Sequence, residues 1–210
     1  MLVRPVAAGA LFLWLWAEPS GLTAPQPAAS SDVTAQEIGQ AMRLGRSSDT
    51  ERARFHALYQ IPVTEPFIES LDVITEYRRL VLIAEERFAA GNWAFTTDAR
   101  AGAEALRPWR QQLAIRMRVR FRPTDLYTKG LPAVSIIIGP STAQVLPLSM
   151  TTDPQYALRS SPKEQFTPIA GMIVEAAFDA AAVGRRAQPM LVSGPGTLEL
   201  RRTVDFARMR

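Results

Sequence analysis

The amino-acid sequence predicts an α+β protein: N-terminal helices, one of them a long amphipathic helix over about 65–90, followed by a small antiparallel β-sandwich of immunoglobulin-like type. Three observations carry this. Apolar residues from Phe67 to Phe88 recur at helical spacing. After Trp109 the period of the pattern drops to two. Beyond that point, short apolar runs are joined by Gly and Pro turns.

Met1 to Arg4 carry one positive charge, Val6 to Trp16 are apolar, and Glu18-Pro19-Ser20-Gly21 end the run. This is the layout of a secretory signal peptide, assigned to 1–24. The run is about half of the roughly 20 residues that cross a bilayer. Export to the periplasm, cell envelope or medium is the expectation, with an uncleaved N-terminal anchor as its alternative, because no clean Ala-x-Ala cleavage site is present. APQPAASS, spanning Ala24 to Ser31, reads as a tether, with 25–31 as the linker.

The helical segment is placed at 32–110. Thr34 and Glu37 have capping-box spacing, and Ile38, Ala41 and Met42 share a stripe that stops at Gly45. A short helical piece with Phe55, Leu58 and Tyr59 runs up to Pro62. Thr64-Glu65-Pro66 supplies a cap, an acid and a proline for the long helix, whose positions Phe67, Leu71, Ile74, Val81, Ala84 and Phe88 make an apolar face, and Gly91-Asn92 ends it. That face is a candidate surface for homo-oligomers. A shorter helix is expected from Asp98 to Leu106.

The sandwich is placed at 111–210. In its first strand Leu113, Ile115, Met117, Val119 and Phe121 fall on one face, with Arg116, Arg118, Arg120 and Arg122 on the other. Further strands are expected at Val134–Ile138, Ala143–Met150 and around Met172 to Phe178. A helical turn from Asp179 to Val183 closes at Gly184, and a hairpin turning at Gly194-Pro195-Gly196 ends the chain. This gives six strands where seven are usual, so one is missing or hidden.

The TEPF start of the long helix, the helical turn before an arginine-rich strand, and the ending IVEAAFDAAAVG followed by PMLVSGPGTLELRRTVDF resemble a loose group of uncharacterised exported bacterial proteins with a helical N-terminal segment and an immunoglobulin-like C-terminal sandwich. The resemblance is architectural, covers most of the chain after Asp32, and carries no catalytic residue across.

Composition narrows the chemistry. Without cysteine the chain has no disulfide, thiolate metal site or lipid-modified cysteine. His56 is its single histidine, which excludes histidine-cluster metal sites and leaves His56 to pack against Phe55 and Tyr59. No metal and no cofactor is expected. The net charge is +4, and only Lys129 and Lys163 among the 24 basic residues are lysines. Ser160 and Lys163 have Ser-x-x-Lys spacing, but Pro162 is a natural first helical residue, which leaves Ser160 outside the helix, and the companion motifs of such serine enzymes are absent. No catalytic residue is assigned.

Two candidate sites follow. The arginine row Arg116, Arg118, Arg120 and Arg122 is a candidate surface for acidic polysaccharide, lipid headgroups or protein carboxylates. Its competing reading is internal pairing. Alternate strand residues lie about 7 Å apart, where like charges repel by about 0.6 kcal/mol in water, a cost that Glu175, Asp179, Glu199 and Asp205 on later strands can offset. The aperiodic stretch 151–168, with Tyr156, Arg159, Ser160 and Lys163, is the candidate loop site. Nucleic acid is not an expected partner, since the chain reads as exported and interleaves no exposed aromatics with its basic residues. The functional expectation is an exported, non-enzymatic binding or assembly module of the cell envelope; the alternative is an enzyme using the 151–168 loop.

Overall fold

The computed structural model describes residues 33–121, 131–157, 168–194 and 198–209. The signal and linker assignments, Arg122, Arg159, Ser160, Lys163 and the Pro195-Gly196 turn lie outside the described residues. The rest is mixed helix and sheet: helices α1 (Ala35–Gly45), α2 (Asp49–Ala57), α3 (Glu76–Ala89), α4 (Ala99–Leu106) and α5 (Ala180–Val183), with seven strands in two antiparallel sheets. The strands are β1 (Ile68–Ile74), β2 (Gln112–Arg120), β3 (Ser135–Ile138), β4 (Ser149–Tyr156), β5 (Ile169–Asp179), β6 (Ala187–Ser193) and β7 (Glu199–Asp205). One sheet has the order β1-β2-β5-β4 and the other β3-β6-β7.

The predicted long helix is corrected. Its first half is β1, and the helix proper starts at Glu76 behind Thr75, whose hydroxyl accepts from the Arg78 N–H. Phe67, Leu71 and Ile74 have helical spacing by coincidence; in the strand Leu71 and Val73 face β2 partners Met117 and Ile115 across the core side of the sheet. β1 is the hidden seventh strand, and it lies in the stretch read as wholly helical. Two boundaries also move. β4 begins at Ser149 rather than Ala143, and Thr151 to Tyr156, read as loop, is strand.

Two buried clusters organise the molecule. One draws on both sheets, with Leu71, Ile115, Met117, Val174 and Phe178 on one side and Ile136, Ile138, Met190, Val192, Leu200 and Val204 on the other. The second is helical: Ile38, Ala41 and Met42 of α1 pack with Tyr77, Leu80, Val81 and Ala84 of α3 and Leu106 of α4. The apolar face of α3 is therefore used inside the chain, which removes the basis for an oligomer through that helix. α1 approaches α3 so closely at Gly45 that a Cβ there would lie 2.5 Å from Ala84 Cβ and 2.9 Å from the Val81 carbonyl oxygen. The Thr34–Glu37 capping box and the turn closed by Gly184 at φ 71° form as the sequence predicts.

Candidate functional site

Antiparallel register lays the outer face of the four-stranded sheet out in rows. Arg116 stands between Asp72 of β1 and Glu175 of β5; Arg118 stands between Ser70 and Ile173; Arg120 stands opposite Gly171. Ile74, Ala114 and Ala177 also fall on this face, yet all are buried, because the helical layer covers that end of the sheet.

From that layer Arg79 reaches down to Glu175, with Nη2 donating to Oε1 at 2.5 Å, while Arg116 Nε donates to the other carboxylate oxygen at 2.9 Å. Arg79 also lies over the Trp109 ring, 4.1 Å from its centroid. Burial opposes ionisation of Glu175, but the charges and hydrogen bonds of Arg79 and then Arg116 outweigh it and hold the carboxyl below its ordinary value.

Beside this triad Arg78 is buried and fully engaged. Nη1 donates to the Val73 carbonyl at 2.7 Å, Nη2 to Asp72 at 3.0 Å, and Nε to His56 Nδ1 at 3.4 Å. Because Nδ1 accepts, the ring proton sits on Nε2, which donates to Glu85 at 2.7 Å. Arg78 and Arg79 are thus the ties between helices and sheet. Once Thr75 is seen as the cap, a signal for this is legible, since paired arginines near a helix N-terminus oppose its dipole and call for partners.

The candidate arginines therefore separate. Arg116 is paired within the chain, and Arg120 pairs with Glu69. Arg118 is exposed and has no ion pair among the described residues. Of the acids expected to offset the row, only Glu175 does so. Asp179 caps α5, whereas Glu199 and Asp205 belong to the other sheet and pair with Arg201 and Arg208. An open groove of about 570 Å³ runs past Arg118, Arg120, Phe121 and Gln155, with Gly171 in its floor. A Cβ at Gly171 would come within 2.3 Å of the Val119 carbonyl oxygen, so this position takes no side chain and the groove stays open.

Tyr156, from the candidate loop site, ends β4, the sheet's second edge. Met150, Thr152 and Pro154 are opposite Ala176, Val174 and Met172, which are fully buried on the core side. The even-numbered side chains of β4 therefore continue the apolar inner face. They nevertheless remain open to solvent, Met150 being 43 % and Tyr156 62 % exposed, and in the stretch leading into the strand Leu146 is 62 % and Leu148 65 % exposed. β4 overhangs the core. Sequence reasoning missed this strip because the strand was placed several residues too early.

Among the described residues no group of three or more His, Asp or Glu side chains is gathered to hold a metal ion, and no helix is long and apolar enough to cross a membrane. Compared with family models, curated proteins and solved structures, the chain finds no match.

Proposed function

We propose that the chain is an exported, non-enzymatic binding or assembly module, an immunoglobulin-like sandwich that engages a protein partner along β4. The strand orders β1-β2-β5-β4 and β3-β6-β7 support the immunoglobulin-like reading, because they reproduce the A-B-E-D and C-F-G sheets of a constant-type domain. The charged start and short apolar run of the N-terminus support export.

One observation carries the function. Of the six large apolar side chains left exposed among the described residues, four lie between Leu146 and Tyr156, two on the β4 edge strand and two in the segment leading into it. Monomers rarely expose contiguous apolar surface, and bare sheet edges are ordinarily blunted by charge, whereas β4 carries only Asp153 and Pro154 as guards. A photo-crosslinking residue placed at Leu148 or Tyr156 of the exported protein is expected to yield a discrete adduct, and one at exposed Arg54 none. Absence of adducts at Leu148 and Tyr156 in folded, exported protein sinks the reading.

A second reading has its own observation. Arg118, beside the open groove, is the described member of the row left with no ion pair among the described residues, which suits an acidic polysaccharide or lipid headgroup. It requires binding that weakens steeply with salt and is lost in Arg118→Glu.

A further inference from the structure

The geometry points to a second copy of this chain as the partner at the β4 edge, joined through antiparallel pairing of β4 with its two-fold mate; the inference rests on β4 being a docking surface. A two-fold axis makes such an interface self-complementary, so each residue must suit the one it meets on the other copy. With the axis at Thr152, Met150 meets Pro154 of the other copy, whose ring packs but donates no ladder bond, and Leu148, the residue just ahead of β4, comes opposite Tyr156, each twice by symmetry. Every exposed apolar residue from Leu148 to Tyr156 then faces another apolar residue, and aromatic–aliphatic pairs of this kind are the ones that stabilise antiparallel ladders.

The other face is equally compatible. Ser149 meets Gln155, and Asp153, the only charge on β4, meets the hydroxyl of Thr151. Alternatives are worse. Moving the register so that odd positions meet even ones turns the apolar set of one copy away from that of the other. Moving the axis to Asp153 sets two carboxylates directly opposite one another, which is destabilising. Pairing at Thr152 continues the four-stranded sheet into that of the second copy and shields both apolar overhangs at once.

Thr152 is exposed, so substitutions there test the interface without touching the core. Sedimentation equilibrium of the purified chain over a wide concentration range is expected to show a monomer–dimer equilibrium. Thr152→Glu and Thr152→Lys should each weaken it at least tenfold, because each places like charges across the axis, and an equimolar mixture of the two should restore it. The chain has no cysteine, which allows a second readout: Thr152→Cys should form an intermolecular disulfide on mild oxidation, and Arg54→Cys should not. A wild-type chain that stays monomeric with no disulfide through Thr152→Cys overturns the inference. If Leu148 still crosslinks to a different protein, the docking reading survives and only the second copy is excluded; with no adduct, both fall.

Discussion

The two edges of the four-stranded sheet are built oppositely. β1 is closed: Ile61 N–H donates to the Leu71 carbonyl at 2.8 Å and Val73 N–H to the Tyr59 carbonyl at 2.9 Å, so the segment carrying Tyr59 and Ile61 shields its outer rim. Asp72 and Val73 are held further by Arg78. β4 has no comparable cover among the described residues, and nearly every side chain on it is exposed. A sheet edge left open is a standing template for another strand. One rim is covered by a neighbouring segment and tied down by a buried arginine, and the other is left open.

The largest test of this contrast is a pair of truncations. Leu71→Ala on β1 removes a side chain that is 1 % exposed and should cost about 2–5 kcal/mol by denaturant unfolding. Met150→Ala on β4 should cost less than about 1 kcal/mol, since its neighbours leave it open. Equal costs would show β4 to be covered in solution.

Next in size is the tie beneath the helices. Glu175→Ala leaves Arg79 and Arg116 without their shared partner; loss of one member of a fully buried pair costs about 3–5 kcal/mol, and the part-exposed Arg116 reduces the expectation to about 2 kcal/mol. The sign with pH follows from the lowered folded-state value. Glu175 contributes fully above the ordinary carboxylate range and loses its contribution as pH falls through the folded value. Denaturation midpoints from pH 7 downward should therefore fall more steeply below about pH 4 for wild type than for Glu175→Gln.

The smallest effect distinguishes the rows of the sheet. Arg116→Glu sets a carboxylate between Asp72 and Glu175 and should destabilise by more than about 1 kcal/mol. Arg118→Glu, one row nearer the open end, should change stability by less than about 0.5 kcal/mol. A large loss at Arg118 would mean that it has a partner beyond the described residues.

How much was legible in the sequence follows from where local pattern and tertiary pairing agree. β2 was legible because its alternation is uninterrupted, and Leu113, Ile115, Met117 and Val119 are all buried as predicted. β1 was not, because its apolar residues satisfy helical spacing as well as strand pairing. Long-range pairing with β2 decides between the two periods, and Ile68, Val73 and Ile74 are β-branched residues that favour a strand. The arginine row could be read as a face, but which arginines are satisfied depends on Arg79 and Glu175, distant from it in sequence. The overhang of β4 is not legible because Thr151 to Tyr156 carries no apolar period that marks it as a strand, and its pairing with β5 alone decides which of its side chains continue the inner face.

One feature of the chain order bears on how the molecule reaches this state. β1 and β2 are neighbours, yet α3 and α4 lie between them, so the pairing closes the entire stretch from Thr75 to Gln111. Closing so long a loop in one step costs entropy before any ladder bond repays it. In the folded chain α1, α3 and α4 pack together through Gly45, Ala84 and Leu106, within the stretch that separates the end of β1 from the start of β2 or directly against it. If the cluster gathers before the sheet closes, Gly45→Ala is expected to slow refolding in stopped-flow measurements even though Gly45 belongs to neither strand; an unchanged refolding rate with faster unfolding places its packing after the rate-limiting step.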